Sequence, residues 1–318
     1  MEPKRCMRGS ERVWTRTRLA CESVASPCPT RAKLPRGPTG DTVDRGMFRH
    51  LGEAKIQVGI RPPLVYLDHC AVRGISSDPA KTSRVKMIFQ TRGTLMFSMV
   101  NMLEMAGNSG RSYEMIRDML DGLGPFWVPS DVDPGRVEYR EKRGAVMPKS
   151  FFPPLNIFGH IFRALPKGTF SLGTALDAIH DQDFRTRAPE VLNRTGFFRF
   201  LCDAREHCRA GMPFPPSTAP EHSLEWIQHN LARLLIMDSK KIHKNDATDL
   251  LHAVVPLRYA TILVLDKTWA RYANDLKLKD GTEVFPCKEE GLRLALDAIE
   301  AADISKFQFV TDADVIDE

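Results

Sequence analysis

Pro62-Pro63-Leu64-Val65-Tyr66-Leu67-Asp68-His69-Cys70 is the stretch on which the fold turns. Four apolar residues follow two prolines and stop at an acid, the pattern of a short buried strand. The pattern returns at Thr261-Ile262-Leu263-Val264-Leu265-Asp266, a β-rich run again closed by aspartate. Between them, residues 79 to 91 read as a basic helix with Val85, Ile88 and Phe89 on one face. Gly93 breaks that helix, and Thr94 to Phe97 forms a third apolar strand. Ser98 suits the N-cap of a helix through Ala106, and Ser109 or Ser112 that of another through Leu120. Further helices are expected between about 155 and 210, at 221–237, at 247–259 and from 288. Strands alternating with helices imply an α/β fold around a parallel sheet.

The rest of the chain is organised around that body. Residues 122 to 154 are rich in Pro and Gly and read as a long connection, and a second Pro-rich break falls at Pro213, Pro215, Pro216 and Pro220. The expected division is a disordered basic leader over 1–55, a body over 62–285 with a Pro-rich and helical insertion at about 124–220, and a C-terminal helix with an acidic tail over 286–318. Met47 opens a better-patterned stretch than the residues before it and is the alternative start.

The net charge of +5 is unevenly spread. Residues 1 to 40 hold nine basic against three acidic side chains, so the other 278 residues sum to −1. Nucleic-acid binding that rests on bulk phosphate neutralisation would show its excess in the folded part, so any such binding here must rest on local sites. With 42% hydrophobic and 27% charged residues, wholesale disorder, collagen-like and coiled-coil classes are excluded. No run approaches a membrane span. Seven irregularly spaced cysteines point to a reducing compartment, and a cytoplasmic location is expected.

The chemistry is carried by acids. Asp68 and Asp266 close two strands, and in parallel α/β sheets the carboxyl ends of strands open into the ligand crevice. Ser98, Asn101 and Glu104 recur at i, i+3, i+6 on the helix after the Thr94–Phe97 strand, and Asp246, Asp249 and His252 repeat that spacing before the last strand. Asp246 is placed to cap its helix, leaving Asp249 facing the crevice. Four carboxylates converging without Lys or Arg partners need a cation. All-oxygen ligation points to Mg²⁺ or Mn²⁺, and such ions on a carboxylate cluster suit phosphodiester hydrolysis.

Taken in order, the segments Val65–Asp68, Phe97–Glu104, Asn245–His252 and Ile262–Lys267 resemble the PIN-like nuclease family, including the toxin ribonucleases of bacterial toxin–antitoxin pairs. The resemblance covers roughly residues 62–123 and 221–276. It implies a Rossmann-like three-layer sandwich, Mg²⁺ or Mn²⁺ held by Asp68, Glu104, Asp249 and Asp266, hydrolytic cutting of RNA, and an inhibitory protein partner. Asp246, Asn101 and Ser98 would orient the acids, and His69, Arg73, His252 and Lys267 would contact phosphate. The chain departs from compact members in its length and in the helical insertion. Alternatives are a catalytically silent PIN-like module that binds RNA or protein, and a structure-specific DNA nuclease.

Other signals are weaker. Asp68-His69-Cys70 lacks the second aspartate that phosphatases with an aspartyl nucleophile require. Cys202, His207 and Cys208 lack a further ligand pair for zinc. Arg73, Lys81, Arg84, Lys86 and Arg92 suit a phosphate-positioning patch or a solvated helix face equally. Trp127, Phe151, Phe152, Phe197 and Phe198 are read as core before base-stacking.

Overall fold

A computed structural model describes residues 48–52, 55–154, 168–181, 194–238, 241–278, 281–303 and 314–316, all within the compact unit 44–318. The strands are β1 (Phe48–Gly52), β2 (Lys55–Val58), β3 (Leu64–Leu67), β4 (Thr94–Ser98), β5 (Trp127–Ser130), β6 (Gly168–Thr169), β7 (Ile262–Leu265), β8 (Glu283–Pro286) and β9 (Asp314–Ile316). The helices of the first half are α1 (His69–Ser76), α2 (Pro79–Thr91), α3 (Met99–Ala106), α4 (Gly110–Asp121) and α5 (Pro134–Lys142). Then come α6 (Leu172–Asp181), α7 (Arg194–Arg209), α8 (Leu224–Met237), α9 (Lys244–Tyr259), α10 (Lys267–Asp275) and α11 (Glu289–Ala301).

The protein is α/β, built on a five-stranded sheet of order β5-β4-β3-β7-β8 in which every pairing is parallel. Every residue of β3, β4 and β7 is buried, which is why these three strands carry unalternated apolar runs, Leu95–Phe97 in the case of β4. Parallel neighbours need crossovers, and the helices supply them. α1, α2, α3, α4, α6 and α11 pack chiefly among themselves, as do α5, α7, α8, α9 and α10, an arrangement compatible with three layers. Among the described residues no helix is long and apolar enough to cross a membrane.

Local chemistry explains the helix boundaries. Asp78 caps α2 through the amides of Ala80 and Lys81, with Pro79 in the first turn where its missing N–H costs nothing. At the other end of α2, Arg61 donates to the carbonyls of Phe89, Gln90 and Gly93 and lies 3.6 Å over the Phe126 ring. It thereby satisfies terminal carbonyls and complements the negative end of the helix dipole. Ser98 caps α3 as its position suggests, whereas Ser109 occupies the cap position of α4 without making a cap bond.

Three expectations are corrected. Residues 127–130, inside the stretch read as connection, are the sheet's edge strand β5, and 134–142 is α5. Pro129 is tolerated there because an edge strand can leave one N–H position facing outward. The expected leader over 1–55 overlaps β1, which pairs antiparallel with β2 and β6. The expected acidic tail contains β9, the partner of β2, so these segments form a second, four-stranded sheet of order β6-β1-β2-β9.

Candidate functional site

From β3 the chain moves outward to β4 and β5, then returns to lay β7 against the other side of β3. The carboxyl ends of β3 and β7 therefore flank the point where strand order reverses, the usual crevice of open parallel sheets. Leu67 pairs with Val264, and the Asp68 amide donates to the Val264 carbonyl at 2.9 Å. Asp68 and Asp266 thus leave adjacent strands one residue apart in register.

Each of these acids also caps the helix that follows it. Asp68 Oδ1 accepts from the His69 amide at 2.7 Å, and its Oδ2 from the Cys70 thiol at 3.4 Å. Asp266 Oδ1 accepts from the amides of Thr268 and Trp269 at 2.8 and 2.9 Å. Capping holds both carboxylates at helix N-termini, where the dipole favours their charge. The described hydrogen bonds engage only one oxygen of Asp266.

Glu104 and Asp249 come from α3 and α9, and both side chains are about one-third exposed. Behind them runs a buried polar chain. The Tyr66 hydroxyl donates to Asn101 Oδ1 at 3.0 Å and lies 2.6 Å from His252 Nδ1. His252 Nε2 is 3.4 Å from Asp249 Oδ1. Asn101 Oδ1 further accepts from the Ser98 amide and hydroxyl, at 3.1 and 2.6 Å. A phenol has one hydrogen, so if Tyr66 donates to Asn101 it must accept from His252 Nδ1–H.

The electrostatics agree with that assignment. Burial alone would lower the pKa of His252, but the Asp249 hydrogen bond and the charges of Asp68, Asp249 and Glu104 outweigh it, and the net direction is upward. A charged imidazole donates from both nitrogens, to Tyr66 and to Asp249. Tyr66 is pushed well above its ordinary value by burial and then by the charge of Asp68, so it remains a neutral phenol. His69 moves downward, chiefly by burial, so its 3.8 Å approach to Glu104 is the contact of a neutral ring.

The sheet supplies its own control. β5 also runs into an aspartate, Asp131, whose side chain is 1% exposed and is held by Arg136 at 2.7 Å and Arg140 at 2.6 Å. Among the described residues no Lys or Arg pairs with Asp68, Asp249 or Asp266. The fold neutralises one strand-end acid with arginines and leaves two others without them. That oxygen-rich donor set suits a hard divalent ion. In the present side-chain arrangement, however, no three His, Cys, Asp or Glu among the described residues are gathered closely enough to hold a metal.

The remaining sequence candidates fall in different places. Ser98 and Asn101 are fully buried and belong to the Tyr66 chain, with Asn101 Nδ2 left without a partner. His243 rather than Asp246 is the N-cap of α9, and Asp246 accepts the His243 amide at 2.6 Å, so its carboxylate is committed to the helix end. Arg73 and Lys267 are exposed, while His252, at 3% exposure, lies behind Asp249 rather than on the crevice surface. Most of the basic face of α2 is spent internally: Lys81 pairs with Glu289, Arg84 with Asp297 and Glu300, and Arg92 donates to the Glu300 carbonyl. His207 Nδ1 contacts the Asp203 carbonyl of its own helix. Trp127, Phe151 and Phe152 are core, as read, whereas Phe197 and Phe198 are only half-buried.

Tyr66 is the functional candidate that sequence reasoning missed, having been counted only as an apolar strand residue. Its signal was available: a Tyr inside an otherwise aliphatic buried strand must find a partner for its hydroxyl. No family model, curated protein or solved structure matches the chain.

Proposed function

We propose that the chain is a divalent-metal-dependent nuclease of PIN-like type that hydrolyses RNA phosphodiester bonds. One observation carries the reading: Asp68 and Asp266 leave adjacent central strands at the switch point with no Lys or Arg partner among the described residues, while Asp131 of the same sheet has two. Asp68, Glu104, Asp249 and Asp266 would hold Mg²⁺ or Mn²⁺. The bound ion would supply an activated water and charge stabilisation for the departing oxygen. The chain's own part is orientation. N-cap bonds fix Asp68 and Asp266, and the Tyr66–His252 pair fixes Asp249 from behind. Arg73 and Lys267, both exposed, are the cations available to contact a phosphate.

A non-catalytic module is the second reading, and one observation favours it. His252, shifted toward its charged form by Asp249, Asp68 and Glu104, offsets part of their repulsion from within the protein. Cleavage of single-stranded RNA, single-stranded DNA and branched DNA with Mn²⁺ separates these possibilities. RNA cleavage that disappears in Asp68→Asn and Asp249→Asn, with the circular dichroism spectrum kept, is the expected result. Unchanged RNA cleavage by both variants would sink the proposal, and an absence of Mn²⁺ binding by calorimetry at millimolar metal would favour the silent module.

A further inference from the structure

One side of α5 is seated on the protein: Val137 is buried, and Glu141 accepts the hydroxyl of Tyr259 on α9 at 2.6 Å. Arg136, Tyr139, Arg140 and Arg143 recur at i, i+3, i+4, i+7 and form a second stripe that contains no acid. Tyr139 is 60% exposed, and among the described side chains no other Phe, Trp or Tyr is exposed to that degree. A single exposed ring signifies little, so its setting decides. Arg143 donates to the Tyr139 hydroxyl at 2.7 Å while its guanidinium carbon stands 5.5 Å from the ring centre, so the cation sits at the hydroxyl end and the ring stays in solvent. Arg136 and Arg140 are held in place by Asp131, at 2.7 and 2.6 Å. Asp131, Glu138 and Glu141 lie deeper than the cations they pair with, and among the described residues no carboxylate pairs with Arg143. The charges of the segment balance in number, but the outward ones are positive.

We infer that this stripe of α5 is a docking surface for single-stranded RNA, with one base stacked on Tyr139 and the adjoining phosphates held by Arg143 and by the exposed edges of Arg136 and Arg140. The inference rests on the RNA-cutting reading, and it supplies the local site that a body without net positive charge requires. Arginines alone would serve an acidic peptide equally well. An exposed aromatic face beside them suits a base, because every base presents a π face to stack. Position favours the same ligand. Parallel pairing puts the carboxyl end of β5 on the same edge of the sheet as Asp68 and Asp266, two strands from β3, which is about 10 Å at the usual strand spacing. α5 begins four positions beyond the end of β5. A strand whose flanking nucleotides dock on α5 is therefore held close to the acids.

The test is fluorescence anisotropy of a short labelled oligouridylate with the full chain in EDTA, where metal-dependent cleavage does not occur. Tyr139→Ala is expected to weaken binding at least about fivefold, the low end for one stacked base, and Tyr139→Phe to keep most of the affinity. Arg143→Ala should weaken binding and flatten the slope of log affinity against log salt by about 0.7, the share of one phosphate contact on a single strand. Both positions lie at the surface, so unchanged melting curves are expected and establish that the variants fold. Wild-type affinity in both Ala variants, or no binding by the wild type, overturns the inference. Polyglutamate that displaces the label as well as unlabelled RNA does also overturns it, by marking the surface as one for acidic protein segments. The two readings fail separately. RNA cleavage with Mn²⁺ together with wild-type affinity in both Ala variants strikes the α5 surface alone, and binding through Tyr139 without any cleavage strikes the nuclease and leaves the surface standing.

Discussion

The Tyr66 hydroxyl lies 2.6 Å from Nδ1 of His252, and this contact ties the first central strand to the helix that carries Asp249. Tyr66→Phe deletes the hydroxyl and leaves a buried His252 N–H without its acceptor. A loss of roughly 1–3 kcal/mol is expected, the cost of stranding one buried polar group. Urea unfolding measures it. If Asp249 is a metal ligand, Mn²⁺ affinity should fall in the same variant, because His252 is then free to turn away from the carboxylate.

Asp266 has two separable duties. Its Oδ1 caps α10 through two amides, and the described hydrogen bonds leave its other oxygen unengaged at the strand end. Asp266→Asn keeps a good capping side chain, so its thermal stability should stay near wild type, whereas Asp266→Ala should lose about 1 kcal/mol. Both should lose Mn²⁺-dependent cleavage. Equal stability of the two variants would show that the cap contributes little.

Asp131 should behave in the opposite way. Asp131→Ala removes the shared partner of Arg136 and Arg140, which are 34% and 25% exposed. A loss of about 3 kcal/mol is expected, the low end for breaking a buried pair, since both arginines keep some solvent. Calorimetric Mn²⁺ binding should be unchanged. A matching drop in metal binding would place Asp131 in the site.

His229 makes stability depend on pH. Burial pushes its pKa below the ordinary 6.5, with Nε2 2.8 Å from the Pro215 carbonyl. Because the folded-state value is the lower one, the unfolded chain takes up the proton first as pH falls. Stability is therefore full above the unfolded value and declines as pH drops below it. The melting temperature of the wild type should fall between about pH 7 and pH 5.5 more steeply than that of His229→Gln. Parallel curves for the two proteins would exclude this role.

What the sequence made legible follows from burial. β3, β4 and β7 are central and covered on both faces, so their apolar runs could not be mistaken, and Ser98 announced α3. β5 and β8 are the two edges of the same sheet. Their residues carry no comparable signal: Trp127-Val128-Pro129-Ser130 looked like a turn-rich connection, and Glu283-Val284-Phe285-Pro286 is only half-buried. At the site, the strand-end positions of Asp68 and Asp266 could be read from pattern alone. The Tyr66–His252 contact spans 186 positions and could not, because strand order decides which helix lies beside which strand. The same holds for the basic face of α2: apart from Asp78 beside Lys81, its acidic partners arrive with α11.

The pairing of β3 with β7 has a consequence for synthesis. It joins residues 197 positions apart, as the Thr261 hydroxyl bond to the Leu64 carbonyl illustrates. A growing chain that has made Asp68 and Glu104 still lacks the strand that completes the crevice until β7 leaves the ribosome. If the acids do cut RNA, the nascent chain is harmless until then, beside the very messenger that encodes it. It becomes competent only after Asp266, which follows β7, has been made.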